Sequence, residues 1–124
     1  VISGARGNPS IHRHLEVVGR GLVEVPSWIY QRQNLTVLSL KDNRLTDLPN
    51  DFFSLTRLQQ LELDRNRFVL LPDDLVKLTG LQVLSVCHNE LEELPRIFGG
   101  VSKLRELRLS HNKLREALPE DIRM

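Results

Sequence analysis

The stretch LSLKDNRLTDLP, residues 38–49, returns twenty-three residues later as LELDRNRFVLLP and after the same interval again as LSVCHNELEELP. Leucines, one asparagine and a closing Leu-Pro recur, while the residues between them change. The pattern L-x-x-L-x-L/V-x-x-N-x-L/F begins at Leu35, Leu58, Leu81 and Leu104, and a weaker version begins at His12. Self-similarity at a fixed interval of this length predicts stacked supersecondary units that share one continuous core.

The fixed leucines of each unit predict a short β-strand. Leu38 and Leu40 alternate with Ser39, and a period of two gives a strand with one buried face. Identical units stacked in order pair in parallel, and each unit then returns through a crossover on the other side. The predicted strands cover residues 15–17, 38–40, 61–63, 84–86 and 107–109.

A fixed asparagine follows each of the last four predicted strands, where the chain turns inward. Its amide carries two donors and an acceptor, so the side chain can bond turn backbone within one repeat and between repeats. Such bonds satisfy polar groups that the bend would otherwise bury unpaired. The asparagines are Asn43, Asn66, Asn89 and Asn112, and the apolar residues that then point back into the core are Leu45, Phe68, Leu91 and Leu114.

The Leu-Pro end of each unit predicts a short helical or 3₁₀ segment on the returning side. Proline suits the first turn of a helix, where its missing N–H is not needed, and acidic residues suit the positive end of such a turn. The prolines, spaced by twenty-three residues, are Pro26, Pro49, Pro72 and Pro95. The acidic or polar positions include Asp51, Asp73, Asp74, Glu120 and Asp121, and the inward pairs are Phe52 and Leu55, Leu75 and Leu78, and Phe98 and Val101.

The repeat resembles that of the leucine-rich repeat family. The motif L-x-x-L-x-L-x-x-N-x-L-x-x-L-P-x-x-L-x-x-L-x-x runs nearly unbroken through three consecutive units. Its L-P-x-x-L/F half resembles the subgroup found in intracellular Ras-pathway and scaffold proteins. The resemblance implies a right-handed α/β solenoid, with short parallel strands on a concave face and helical or 3₁₀ segments on a convex face. It also implies that the concave face binds partners.

The five units divide the chain into one domain and a short extension. A chain of 124 residues is the size of a single domain. The expected parts are an N-terminal extension at 1–11 and a leucine-rich repeat domain at 12–124. Within the domain, a degenerate capping repeat at 12–34 comes first. It is followed by full repeats at 35–57, 58–80 and 81–103 and by an incomplete last repeat at 104–124.

Both ends of the repeat array depart from the pattern. His12, Arg20 and Arg32 put polar side chains at core positions of the first block, as expected for a cap on which nothing stacks. Trp28 either covers the edge of this cap or is ordinary packing. No recognisable cap follows the fifth block, so its open edge is expected either to continue in a longer parent chain or to self-associate.

Composition excludes several classes of function. The net charge is +1 and aromatic residues are 5% of the chain, which disfavours nucleic-acid binding by bulk charge or by base stacking. No apolar run approaches a transmembrane length, so membrane insertion is not expected. Cys87 is the only cysteine, which favours a reducing, cytoplasmic location. The sequon Asn34-Leu35-Thr36 leaves an extracellular location, with a glycan on Asn34, as the alternative.

The variable residues around the strands are the candidate binding residues, because stacked repeats align them in columns about 5 Å apart. The expected columns are Glu16, Ser39, Glu62, Ser85 and Arg108; Val18, Lys41, Asp64, Cys87 and Ser110; Gly19, Asp42, Arg65, His88 and His111; and Gly21, Arg44, Arg67, Glu90 and Lys113. The predicted protein-binding face comprises Ser39, Lys41, Asp42, Arg44, Glu62, Asp64, Arg65, Arg67, Ser85, Cys87, His88, Arg108 and His111.

Four basic residues of repeats two and three form what we call the basic cluster: Lys41, Arg44, Arg65 and Arg67. Carboxylates lie among them, so a mixed charged surface is expected that selects a partner by complementarity. The alternative is a solvated face whose local ion pairs are each worth little. We expect Lys41, Arg65 and Arg67 to help recognise an acidic protein partner.

Neither a metal site nor a catalytic site is expected, and no cofactor is implied. Cys87, His88 and His111 lie close in the columns, but adjacent strand residues point to opposite sides, and zinc takes three or four converging protein ligands. Ser85 and Ser110 lie near histidines, yet an open strand face offers no oxyanion pocket. No Gly-rich phosphate loop is present in the sequence.

One apolar departure lies outside the strands. Val69 and Leu70 stand where the neighbouring repeats have Thr46-Asp47 and Glu92-Glu93. They form either a small apolar patch on the flank of the solenoid or a pair of ordinary surface hydrophobic residues.

The sequence therefore predicts a non-enzymatic interaction module or signalling scaffold that binds a protein partner through its concave face. Five strands about 4.8 Å apart present only a few hundred square ångströms, whereas a standard interface buries about 800 Å² per partner. Weak binding by this segment alone is expected. The alternatives are a structural or capping fragment of a larger multidomain signalling protein, and an extracellular recognition or adhesion module.

Overall fold

The computed structural model describes residues 13–93 and 103–114. Over these residues the chain forms one five-stranded parallel sheet whose strands follow sequence order. The strands are β1 (His14–Glu16), β2 (Val37–Ser39), β3 (Gln60–Glu62), β4 (Val83–Ser85) and β5 (Glu106–Arg108). The returning segments are a helix, α1 (Ser27–Tyr30), and two 3₁₀ turns, η1 (Asn50–Ser54) and η2 (Asp73–Lys77). This architecture confirms the predicted α/β solenoid.

Each strand begins one residue earlier than the leucine spacing predicted. The first leucine of each unit, such as Leu38, is the middle of its strand and pairs with Leu61 in the next. The second leucine, such as Leu40, lies at the start of the bend. Hydrogen bonding to the next repeat continues there, because the Leu40 amide donates to the Glu62 carbonyl at 2.8 Å. The leucine pattern records which side chains are buried, and the buried side chains continue one residue past the end of each strand.

The fixed asparagines bond in the way the sequence predicted. Asn66 is buried, and its Nδ2 donates to the carbonyl of Leu63 in its own repeat at 3.0 Å and of Leu40 in the preceding repeat at 2.9 Å. Its Oδ1 accepts from the amide of Leu45 at 3.0 Å. The same cross-repeat donation joins Asn43 to Val17, Asn89 to Leu63 and Asn112 to Val86.

The prolines sit one position earlier than expected. Pro26, Pro49 and Pro72 precede the helical segments in an extended conformation, rather than occupying the first helical position. Their carbonyls accept the first turn bond, as when the Phe52 amide donates to Pro49 at 3.0 Å. Proline suits this position because its φ is already restricted and no amide hydrogen is required of it.

The core is a column of stacked leucines closed by aromatic residues on the returning side. The predicted inward positions Leu45, Phe68 and Leu91 are buried, as are the pairs of η1 and η2. Phe53 is also buried, and its ring meets that of Phe52 edge to face, with centroids 5.6 Å apart. The sequence pattern assigned no role to Phe53, because the equivalent residue of the next repeat, Val76, is exposed.

The first repeat differs from the others at the asparagine position. Arg20 is exposed there, and its amide donates to the Oδ1 of Asn43 at 3.0 Å. Trp28 is half-buried and packs against the core. The role of this repeat as a cap stays a prediction. The expectations for residues 1–12, Pro95, Phe98, Val101 and the C-terminal residues 115–124 lie outside the described residues.

Across residues 13–93 and 103–114, the helical segments are too short and too polar to cross a lipid bilayer. The boundaries assigned to individual repeats stay predictions, although every pair of facing strand residues is separated by the repeat length, as for Leu61 and Leu84.

Replacing Asn66 by alanine tests the asparagine bonds. Asn66→Ala leaves buried backbone groups of two repeats without partners, so we expect the free energy of unfolding to fall by about 2–4 kcal/mol. Asn50 is exposed, and Asn50→Ala should change the free energy of unfolding by less than about 0.5 kcal/mol. Urea denaturation measures both. Equal effects of the two substitutions would contradict the role assigned to Asn66.

Candidate protein-binding face

Parallel pairing aligns the outward strand residues as predicted. The strand register places Glu16 beside Ser39, Ser39 beside Glu62, and Glu62 beside Ser85, with Arg108 last. The residue before each inward leucine faces outward by the same alternation, because successive strand side chains point to opposite sides. This column was missing from the sequence prediction and consists of His14, Val37, Gln60, Val83 and Glu106.

A second column stands at the turn that follows the strands. Its residues have positive φ, between 55° and 68°, and are Gly19, Asp42, Arg65, His88 and His111. Left-handed backbone is unfavourable for residues other than glycine, but the turn is held by bonds between repeats, as from the Arg65 amide to the Cys87 carbonyl at 2.9 Å. The turn therefore presents a row of side chains at a fixed spacing.

His88 and His111 stack within this column. Their ring centroids are 4.2 Å apart and the planes differ by 10°. Desolvation lowers the pKa of His88 below its ordinary value of 6.5, the positive charges of His111 and Arg65 lower it further, and the carboxylate of Asp64 opposes them. These effects favour the neutral form of the His88 ring.

Cys87 belongs to a different polar group. Its amide donates to the Oδ1 of Asp64 at 2.9 Å, and the hydroxyl of Ser110 donates to its Sγ at 3.2 Å. The hydroxyl of Ser85 donates to the same Oδ1 of Asp64 at 2.6 Å. Within the described part of the chain, no three His, Cys, Asp or Glu side chains are arranged to hold a metal ion.

The equivalent serine in the second repeat has no such partner. Ser39 is only 2% exposed, and its Oγ has no hydrogen-bond partner among the residues that the structure describes. Asp64, the partner of Ser85, lies twenty-one residues before it. The residue at that interval before Ser39 is Val18, which offers no side-chain acceptor.

The carboxylates among the basic residues neutralise part of the cluster. Lys41 Nζ lies 3.7 Å from Glu62 Oε1, and Arg65 Nε lies 3.9 Å from Asp42 Oδ1. Arg44 and Arg67 are exposed, and neither forms an ion pair with a described residue. Among the described residues, further ion pairs on the face join Lys113 to Glu90 and Arg108 to Glu106, and His14 Nε2 lies 3.2 Å from Glu16 Oε2.

The predicted binding residues differ in accessibility. Exposed members are Asp42, Arg44, Arg65, Arg67, His88, Arg108 and His111, and half-buried members are Lys41, Glu62, Asp64 and Cys87. Ser39 and Ser85 are buried, so they offer a partner almost no surface. Their role in binding stays a prediction, as does that of the other residues.

Comparison with known proteins identifies the repeat. A sequence profile described as "Leucine rich repeat" matches residues 25–68 and 56–114. In all, 139 chains of solved structures match the fold. A leucine-rich repeat protein of Leptospira interrogans matches with a TM-score of 0.76 and 31% identity, over 92% of this chain and 35% of that one. The leucine-rich repeat domain of APL1B matches with a TM-score of 0.77 and 26% identity, over 85% of this chain and 32% of that one.

This chain therefore spans about a third of the length of these two matching structures. No curated protein sequence gives a significant match. Leucine-rich repeat domains generally mediate protein–protein interactions, and they are typically non-enzymatic.

Alanine at the two buried serines tests the difference between them. Ser85→Ala removes a hydrogen bond to a carboxylate, so we expect the free energy of unfolding to fall by about 1–2 kcal/mol. Ser39→Ala removes a hydroxyl that has no partner, so the free energy of unfolding should stay constant or rise by about 1 kcal/mol. Urea denaturation of both variants is the measurement. The assignment is wrong if Ser39→Ala is as destabilising as Ser85→Ala.

The stacked histidines predict a specific pH dependence. Because the pKa of His88 is below 6.5 in the folded chain, protonation favours the unfolded state. This contribution to stability is complete above pH 6.5 and is lost as the pH falls from there through the lowered pKa. Titration of the His88 ring by NMR should give a midpoint below 6.5, and His111→Ala should raise it. Lys41→Gln, on another column, should leave the midpoint unchanged, and a midpoint unmoved by His111→Ala would contradict this reasoning.

Proposed function

This chain belongs to the leucine-rich repeat family, and we propose that it is a non-enzymatic interaction module whose concave face binds an acidic protein partner. The observation that carries the proposal is the pair Arg44 and Arg67, exposed side chains without an ion pair among the described residues. They occupy equivalent positions of adjacent repeats, about 5 Å apart at the spacing of adjacent strands. Guanidinium groups at this spacing favour binding of carboxylates, which they hold by two parallel hydrogen bonds.

The backbone of the two arginines is well fixed. The Arg44 amide donates to Leu22 at 2.8 Å, and the Arg67 amide donates to Leu45 at 2.9 Å. Each arginine therefore projects from a turn whose position is set by the preceding repeat. A fixed backbone reduces the conformational entropy that a binding residue loses when a partner docks.

Lys41 and Arg65 contribute less in this proposal than Arg44 and Arg67. Their carboxylate neighbours lie at 3.7 and 3.9 Å, near the outer limit for an ion pair. The pair of Arg65 with Asp42 is exposed, and exposed pairs are worth about 0–1 kcal/mol. An acidic partner can compete for these cations, but it must displace Glu62 or Asp42. The stacked His88 and His111 complete the face beside them, and a planar pair of rings offers a contact surface for a partner side chain.

The small area of the face limits the affinity that this segment can reach alone. Five short strands present a few hundred square ångströms, and a standard interface buries about 800 Å² per partner. We propose that this segment contributes part of a larger concave surface, as its one-third coverage of the matching chains supports.

The location and subgroup are part of the same proposal. We place the protein in the cytoplasm, in a scaffold role similar to that of intracellular Ras-pathway leucine-rich repeat proteins. The free thiol of Cys87 supports a reducing compartment. A glycan on Asn34 of the native protein would contradict this location, and mass spectrometry of the tryptic peptide would detect it.

Charge reversal of the arginine pair tests the proposal. We expect Arg44→Glu with Arg67→Glu to reduce the amount of partner captured from a cell lysate by at least about tenfold, because two attractive contacts become repulsive. Lys41→Glu and Arg65→Glu should have smaller effects. Quantitative mass spectrometry of the captured proteins is the measurement.

A matched control makes the same change of charge elsewhere. Arg57 is exposed after η1, and its guanidinium donates to the Oδ1 of Asn34 at 3.2 Å. Arg57→Glu should leave capture at the wild-type level. The proposal would be wrong if capture stayed at the wild-type level after charge reversal of all four residues together, Arg44, Arg67, Lys41 and Arg65.

A further inference from the structure

Two adjoining hollows lie on the flank of the solenoid, along the residues between the strands and the returning segments. One hollow, of about 500 Å³, lies along Thr46, Asp47 and residues 69–73. A second, of about 450 Å³, lies along residues 23–27, Tyr30 and residues 46–49. The two hollows share Thr46 and Asp47, so they adjoin one another across the first three repeats, and together they form what we call the groove.

Exposed apolar side chains line this groove. Val23 is 66% exposed, Val69 43% and Leu70 53%. Val23 and Val69 occupy equivalent positions of repeats one and three, with Thr46 between them in the same column. Single exposed hydrophobic residues are ordinary, but Val69 and Leu70 are neighbours in one hollow and Val23 lies in the adjoining one, so exposed apolar surface is concentrated here.

The charged residues that line the groove are all carboxylates: Glu24, Asp47 and Asp73. No lysine or arginine is among the described residues that line either hollow. The chain as a whole has a net charge of +1, so this uniform negative lining is a local feature. We call this surface the acidic groove.

The acidic groove is separate from the basic cluster. Arg44 and Arg67 stand two residues before Thr46 and Val69, and neither arginine lines either hollow. The two surfaces therefore prefer partners of opposite charge, although they are built on the same repeats.

We propose that the acidic groove is a second docking site, which binds a short extended segment of another protein that carries Lys or Arg beside leucine-like side chains. Apolar side chains of the segment cover Val69, Leu70 and Val23, and its cations meet Asp47, Asp73 and Glu24. Three repeats at about 5 Å span about 10–15 Å, which about three to five extended residues cover at about 3.3 Å each. Charge complementarity selects the basic segment, while apolar contact supplies most of the affinity.

A designed peptide series tests this docking site on the intact chain. The probe is a peptide of about ten residues with two arginines and two leucines in a Gly-Ser background, and its two controls replace either the leucines by serine or the arginines by glutamate. Addition of the probe to the ¹⁵N-labelled chain should shift amide resonances of residues 23–24, 46–47 and 69–73. We expect the serine control to bind about tenfold more weakly and the glutamate control not to bind.

Substitutions in the groove complete the test. Asp47→Asn with Asp73→Asn, and separately Val69→Thr with Leu70→Thr, should each weaken binding of the probe by at least about fivefold. These side chains are exposed, so the fold should persist, as unchanged resonances of the strands would show. Asp51 is exposed in η1 outside the groove, and Asp51→Asn should leave binding of the probe unchanged.

Several results would overturn this inference. The first is absence of resonance shifts, and the second is shifts confined to the concave face. A third is self-association, measured by sedimentation, that Val69→Thr with Leu70→Thr abolishes, because this result would assign the groove to a second copy. A fourth is a change in the groove resonances when residues 1–12 are deleted, which would assign the groove to the chain's own N-terminal residues. Charge reversal at Arg44 and Arg67 probes the concave face independently, so failure there would leave this test intact.

Discussion

The hydrogen bonds from each asparagine amide to the preceding repeat are the constraint on which the rest of the structure depends. Every parallel strand must be followed by a turn toward the core, and such a turn buries backbone donors and acceptors. Asn66 satisfies groups of two repeats at once, at Leu45 and Leu40 on one side and Leu63 on the other. Because each asparagine binds backbone twenty-one and twenty-six residues earlier, these bonds also set the register of the stack.

A fixed register frees the other positions of the repeat to vary. The turn residues Asp42, Arg65 and His88 share one left-handed backbone conformation but differ in chemistry. At the position after the fixed asparagine, two adjacent repeats carry the exposed cations Arg44 and Arg67. On the flank, variation produced the apolar Val69 and Leu70 beside the carboxylates of Asp47 and Asp73. One repeated backbone thus carries two surfaces whose charges differ in sign, and each surface extends across adjacent repeats.

Much of this arrangement follows from the sequence because the repeat supplies the same information several times. Alternating leucines predicted the parallel sheet, and the spacing of the variable residues predicted the columns. The early start of each strand was missed because the pattern records burial, whereas the strand is defined by backbone pairing. The column that contains Val37 and Gln60 was missed although the same alternation predicts it.

Other features depend on differences between repeats, which a repeat pattern averages away. Phe53 is buried, whereas Val76 at the equivalent position of the next repeat is exposed. The space beside each returning segment depends on the residues that pack next to it in the fold. Ser39 and Ser85 are identical in the pattern, yet only Ser85 finds a carboxylate, because Asp64 and Val18 occupy equivalent positions. The acidic groove likewise depends on two neighbouring hollows that share Thr46 and Asp47. Such contacts follow from three-dimensional packing, and the columns alone do not predict them.

The most direct measurement of the central claim, that the concave face binds a protein partner, is amide hydrogen–deuterium exchange of the chain with and without its captured acidic partner. The account predicts slower exchange at residues 37–44 and 60–67 when the partner is bound, because the strands and turns of repeats two and three carry the exposed arginines. Exchange in the returning segments Asn50–Ser54 and Asp73–Lys77 should stay the same. Protection confined to these returning segments, with the strands and turns unaffected, would contradict the account.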